Sequence, residues 1–178
     1  FEHSFDAYRD AKLRIFRDMV NGSVVLRSDS AEAFGSKVNT KVCVQTFGVR
    51  ELSADWHLDG EALRHGGKAF LNRNALRVVG RHNVANALSA AAALSHVGLS
   101  LREIAIGLES FVGLEHRMEF VRELDGIKFY NDSKATNPHA ALSGLCAMDG
   151  SLVVIAGGYD KGLDLTEFAA VLGRHKYV

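Results

Sequence analysis

The stretch from residue 127 to residue 156 limits the choice of fold more than any other. Ile127-Lys128-Phe129-Tyr130 alternates as a strand, and Pro138 opens an Ala/Leu-rich segment that reads as a helix to about Met148. Asp149-Gly150 turns the chain into Leu152-Val153-Val154-Ile155-Ala156, a wholly apolar strand. Strand, helix, strand is a βαβ unit, and its two strands run parallel in an open α/β sheet. The loops leaving parallel strands emerge at one edge, where ligands of such sheets bind. The spacing therefore predicts that Asp132, Lys134 and Thr136 of the first loop meet Asp160 and Lys161 of the second. Asp, Ser, Thr and Asn also cap helices and form turns, so each residue taken singly reads equally well as a loop residue.

The rest of the chain is read by the same periodicities. Phe5 to Met19 is a helix with Phe5, Tyr8, Ile15, Phe16 and Met19 on one face. Lys12 falls within that stripe, where an ammonium must snorkel, pair or change its chemistry, because burying it bare is costly. A half-buried lysine also loses its proton readily and becomes nucleophilic. Ser23 to Leu26 is a short buried strand ended by Arg27-Ser28-Asp29-Ser30, and Lys41 to Phe47 is a second strand. Trp56 to Leu71 reads as strands turning at Asp59-Gly60 and Gly66-Gly67, with His57 and His65 on exposed positions. Gly80-Arg81-His82-Asn83-Val84-Ala85-Asn86 opens a helix to about His96, stopped by Gly98. Asn83 and Asn86 share a face there; Asn83 alone is an ordinary cap, but the pair with His82 suits the edge of a planar base. Ser100-Leu101-Arg102-Glu103 is a capping box for a helix to Ser110, and Asp125-Gly126 turns a hairpin. A domain boundary is expected near Gly113, with Asp164-Leu165-Thr166-Glu167 capping a last helix.

Composition excludes several classes. The 178 residues carry equal numbers of acidic and basic side chains and no basic block, so nothing marks a nucleic-acid or membrane surface. No apolar run approaches the roughly 20 residues of a membrane span. Cys43 and Cys146 stand far apart without metal-type spacing, as in a reducing cytoplasm. The chain starts at Phe1, directly ahead of a helix, and reads as part of a longer polypeptide.

Four separated stretches resemble one family in order. They are Tyr8-Arg9-Asp10-Ala11-Lys12, the turn from Gly80 to Asn86, Gly113-Leu114-Glu115-His116-Arg117-Met118-Glu119, and the loops around Asn131-Asp132-Ser133-Lys134-Ala135-Thr136-Asn137 and Gly157 to Gly162. Together they are similar to the Mur ligases, and the Ser-Lys-Ala-Thr-Asn wording selects the branch that adds D-glutamate. The resemblance implies an α/β chain, with residues 1–112 part of a central ATPase domain and residues 113–178 the start of a Rossmann-like C-terminal domain. It implies a bacterial cytoplasmic monomer in peptidoglycan precursor synthesis, with ATP and Mg²⁺ as cofactors. The substrates would be UDP-N-acetylmuramoyl-L-alanine and D-glutamate, joined through an acyl phosphate. By resemblance Lys12 is carbamylated and helps hold the metal. His82, Asn83, Asn86, Arg117 and Asp132 meet ATP, His116 lies beside the reacting centre, and Lys134, Thr136 and Lys161 meet D-glutamate. His3 stands too close to Lys12 for the family's metal-linked histidine and is not assigned. No Gly-x-x-x-x-Gly-Lys-Ser/Thr phosphate loop occurs in these residues, so this chain alone is expected to be inactive. The competing readings are a folylpolyglutamate synthase-like ligase, using L-glutamate on a pterin, and a non-catalytic α/β nucleotide-binding module.

Overall fold

The computed structural model describes residues 4–35, 38–39, 41–148, 150–159 and 161–173; His3, Asp149 and Asp160 lie outside them. The chain divides into two compact units, Phe1–Ala75 with Val84–Glu109, and Leu76–Asn83 with Ser110–Val178.

The first unit is built on a five-stranded sheet. Its strands are β1 (Ser23–Arg27), β2 (Cys43–Gly48), β3 (Trp56–Asp59), β4 (Ala62–His65) and β5 (Lys68–Asn72), and they lie side by side in chain order. β1, β2 and β3 are parallel, whereas β3, β4 and β5 form an antiparallel meander. Two parallel neighbours need a crossover between them. Here it is α2 (Ser28–Gly35), a helix where Ser28-Asp29-Ser30 alone suggested only the end of a strand. Ala31 and Phe34 of α2 pack on buried Val24, Leu26, Val38 and Val42, together with Phe16 and Met19. Tertiary burial, not local propensity, makes this segment helical.

α1 (Phe5–Leu13) is shorter than its apolar pattern, because residues Arg14–Phe16 tighten into a 3₁₀ turn. Each 3₁₀ residue turns about 20° further than an α residue, so the stripe drifts off line. Phe16 and Met19 still reach the core, but Ile15 is 71% exposed.

His57 and His65 are half-buried instead of exposed. The His65 ring stacks flat on fully buried Trp56, 3.8 Å between centroids, and Phe70 meets Trp56 edge-on. Cross-strand register places Trp56 opposite His65, which brings the two rings together.

α3 (Arg81–His96) buries Val84, Ala87, Leu88, Ala91 and Ala92, one stripe at helical spacing. Its end follows the Schellman pattern: Leu99 N–H donates to Leu94 C=O and Gly98 N–H to Ser95 C=O, with Gly98 at φ +97°. α4 (Leu101–Ser110) begins in the expected capping box. Ser100 donates its hydroxyl and its N–H to Glu103 Oε2 at 2.6 and 2.9 Å, and Glu103 N–H returns to Ser100 Oγ at 3.3 Å. The Ser100 hydroxyl first, and its N–H second, hold the Glu103 carboxyl below its ordinary range. A depressed carboxyl contributes stability above its unfolded pKa and loses it as pH falls through the folded pKa. Ser100→Ala is therefore expected to lower Tm at neutral pH, and by less at about pH 3. Thermal denaturation of both chains at the two pH values checks this, and an undiminished difference in acid would contradict it.

The second unit holds the hairpin β6 (Glu119–Leu124) and β7 (Ile127–Asn131). Asp125 and Gly126 both have positive φ, +51° and +77°, the geometry of the Asp-Gly turn that matches strand twist. α5 (Pro138–Leu145) follows, with Asn137 Oδ1 accepting the Ala140 N–H at 2.9 Å, and α5 packs on α6 (Thr166–Leu172). The segment Leu152–Ala156 is not a strand: it makes an isolated bridge at Val153, and Val153 and Ile155 are 75% and 98% exposed. A strand exists only through its neighbours' hydrogen bonds, and among the described residues β7 forms a ladder with β6 alone. Among the described residues the parallel ladder expected from the apolar run is thus not formed, and only the bridge at Val153 is present.

Candidate functional site

The site residues of the second unit gather around the end of the β6–β7 hairpin. Register sets Glu119 opposite Asn131, and the chain enters β6 from His116 and leaves β7 into Asp132. Two polar loops are therefore held together by one antiparallel ladder. His116 and Met118 both adopt left-handed backbone, φ +65° and +45°. Such conformations cost about 1–3 kcal/mol each in non-glycine residues and persist only where neighbours hold them. The holding bonds are present. Lys134 N–H donates to His116 C=O at 3.0 Å, and Met118 N–H donates to Asp132 Oδ1 at 3.0 Å. His116 N–H donates to Glu119 Oε2 at 2.8 Å.

Asp132 is half-buried, and its other oxygen lies against Gly144 of α5. A Cβ on Gly144 would stand 2.7 Å from Asp132 Oδ2 and 2.9 Å from Met118 Sδ. That absent side chain is what lets the carboxylate tuck between hairpin and helix. An isolated glycine in an Ala/Leu helix was the available signal for this contact. The Asp132 side chain orders the His116–Met118 turn, in addition to any ligand role.

Beyond Asp132 the loop folds on itself, Ala135 N–H to Asp132 C=O and Thr136 N–H to Lys134 C=O. The side chains of Lys134, Thr136 and Arg117 are exposed. Lys161 Nζ reaches the Thr136 carbonyl at 3.4 Å, so the two loops meet at this point although no parallel ladder among the described residues brings them there. Asp160, expected beside them, lies outside the described residues. The exposed cations Arg117, Lys134 and Lys161 suit an anionic ligand.

At the start of α3, Asn83 N–H donates to Gly80 C=O, and its side-chain amide donates to Val79 C=O at 2.7 Å. Asn83 is thus tied to its own loop, while His82 and Asn86 are exposed. In the first unit Lys12 is exposed, and its ammonium lies 5.4 Å from the Tyr8 ring centroid. It stands at the rim of an open groove of about 290 Å³ lined by Tyr8, Leu13, Phe16, Leu26 and Phe34. The stem covers apolar surface while the charge reaches water, which is snorkelling. Among the described residues no three His, Cys, Asp or Glu side chains gather as metal ligands.

Residues 1–94 match the Mur ligase middle domain, and residues 116–178 match the glutamate ligase domain of Mur ligases. The chain belongs to the Mur ligase family. Its fold agrees: MurF from Acinetobacter baumannii superposes with a TM-score of 0.64 at 24% identity, covering 83% of this chain and 34% of that one. The murein peptide ligase of Psychrobacter arcticus gives a TM-score of 0.57 at 23% identity over 79% of this chain and 31% of that one. Within the Mur ligases, similar proteins include the UDP-N-acetylmuramoylalanine–D-glutamate ligase of Solibacter usitatus, 40% identical over 91% of this chain. The ligase of the same name from Pseudoalteromonas translucida is 37% identical over 97% of the chain. The chain spans 37% and 38% of the length of these two relatives. Against this Mur ligase background Glu119, Asn131 and Gly144, to which the sequence reading gave no role, are the residues that shape the His116–Asp132 corner.

Proposed function

We propose that this chain is part of an ATP-dependent ligase that adds D-glutamate to UDP-N-acetylmuramoyl-L-alanine in the bacterial cytoplasm. The observation that carries the reading is the Asn131–Asn137 loop, met by Lys161 and set beside His116. Its wording selects the D-glutamate branch, and relatives of that name match nearly the whole chain. Residues 1–112 then belong to the central ATPase domain and residues 113–178 to the C-terminal domain.

ATP suits the groups present, because Arg117, Lys134 and Lys161 offer exposed cations to phosphate oxygens. When bound, ATP supplies the phosphoryl group that activates the acceptor carboxylate. His82, Asn83 and Asn86 meet the adenine side, and Arg117 and Asp132 the phosphates and ribose. Lys134 and Lys161 hold negative charge on the acyl phosphate and on the tetrahedral centre formed when the D-glutamate amine attacks. Thr136 orients the incoming amino acid, and His116 borders the reacting carbonyl. Mg²⁺ needs only one or two carboxylates beside phosphate oxygens, and Lys12, as a carbamate, would add one such anionic ligand.

The deciding assay is ADP release by this chain and by the whole reading frame that encodes it. The acceptor is UDP-N-acetylmuramoyl-L-alanine, offered with D-glutamate, L-glutamate or neither. Turnover by the whole frame with D-glutamate only is the expected result. A parallel arm offers a pterin acceptor with L-glutamate, and a response confined to that arm would move the protein to the folate-polyglutamylating relatives. Silence in every combination would leave a nucleotide-binding module.

A further inference from the structure

We infer that Asn131 is a positioning residue that sets the tautomer of His116, leaving a proton on Nε2 and none on Nδ1. The inference rests on the ligase reading only for what His116 then does.

The donor and acceptor atoms around the ring decide its tautomer. Asn131 Oδ1 lies 3.1 Å from the backbone nitrogen of Ser133, which carries a hydrogen and can only donate. The opposite orientation of the amide would set an NH₂ group against that N–H, donor facing donor. The amide orientation is therefore decided by the backbone, independently of the imidazole. With its oxygen committed to Ser133, Asn131 presents Nδ2 to His116 Nδ1 at 3.0 Å. An NH₂ group donates, so Nδ1 accepts and carries no proton. The neutral ring must then hold its hydrogen on Nε2.

Glu119 favours the opposite state. Its Oε2 stands 3.4 Å from His116 Nδ1 and would accept a proton there. That same oxygen already takes the His116 backbone N–H at 2.8 Å, and the distance to the ring exceeds that from Asn131. Glu119 holds the left-handed His116 backbone, while Asn131 holds its ring. The division follows from the hairpin, because Glu119 and Asn131 are cross-strand partners flanking one histidine. A ring so oriented directs an N–H donor, not a lone pair, away from the corner. Under the ligase reading His116 then acts as a hydrogen-bond donor to developing negative charge and not as a base taking the amine proton.

The test is nitrogen NMR of the ¹⁵N-histidine-labelled chain at about pH 8, where an ordinary imidazole is neutral. A His116→Gln sample identifies the resonances among the eight histidines. The expected result is an unprotonated, pyridine-type Nδ1 and a protonated, pyrrole-type Nε2. Asn131→Asp keeps the acceptor for Ser133 but can no longer donate, so Nδ1 is expected to shift to the pyrrole-type range. Glu119→Gln is expected to leave both resonances in their wild-type ranges. A protonated Nδ1 in the unaltered chain, or an unchanged Nδ1 in Asn131→Asp, overturns the inference. In the whole enzyme Asn131→Asp is expected to lower kcat at least about tenfold with little change in KM. Wild-type kcat beside a switched tautomer overturns the positioning role. The spectra are recorded without substrate, so they stand or fall separately from the D-glutamate assay.

Discussion

Lys134→Ala in the whole enzyme is expected to lower ligation roughly 100-fold or more, the scale on which removal of a preorganised charge-stabilising donor acts. The side chain is exposed, and the loop is held by the Lys134 backbone instead: its N–H bonds to His116 C=O and its C=O receives Thr136 N–H. Alanine keeps both bonds. Tm should therefore be unchanged while kcat collapses, a separation that unfolding cannot mimic. Lys134→Arg should recover little, because a planar fork does not place its charge where a compact ammonium does. ADP release with all three substrates, alongside thermal denaturation, measures both quantities. Near wild-type turnover in Lys134→Ala would remove the loop from the chemistry.

The second large effect is expected at Gly144, which touches no proposed substrate group directly. Alanine there gains about 1 kcal/mol of helix propensity. Its Cβ, however, would stand 2.7 Å from an Asp132 carboxylate oxygen and 2.9 Å from Met118 Sδ. Overpacking of this kind costs about 1–3 kcal/mol. Displacing Asp132 also strains its bond from the Met118 N–H, and hydrogen bonds to charged groups contribute about 1.5–3 kcal/mol. The unfavourable terms are larger, so Gly144→Ala should lower Tm and raise the KM for ATP. Gly107 in α4 is the internal control, since a Cβ there meets nothing within 4 Å and Gly107→Ala should raise Tm. Equal effects at the two glycines would show that the Asp132 contact is not what Gly144 protects.

The local elements were legible where the information is carried by adjacent residues. The Asp125-Gly126 turn is specified by two positions that tolerate positive φ. The start of α4 is written in Ser100 and Glu103, whose groups meet within one turn, and the end of α3 in Gly98. The signature loop could be read as a strand-to-helix connection because Pro138 and the Asn137 cap mark the helix start. In each case the deciding energy lies between residues a few positions apart.

Long-range contacts decided the rest. α2 is helical because β1 and β2 pair in parallel and need a covered crossover, although Ser28-Asp29-Ser30 reads as a turn. Leu152–Ala156 has the apolar run of a buried strand, yet strand geometry requires a ladder partner, and the run remains exposed at Val153 and Ile155. His65 looked like a surface residue until register set it on Trp56. The candidate site divides in the same way. Its residue types, a carboxylate, lysines, hydroxyls and a histidine, are determined by the sequence alone. Only the tertiary structure bends His116 and Met118 into left-handed backbone, seats Asp132 against Gly144 and turns the Asn131 amide toward the imidazole. Those contacts join residues 14 or more positions apart in four of the bonds that build the corner: Met118 to Asp132, Asn131 to His116, Lys134 to His116, and Lys161 to Thr136. Periodicity and capping report on neighbours within a turn or a strand, so no local pattern contains them.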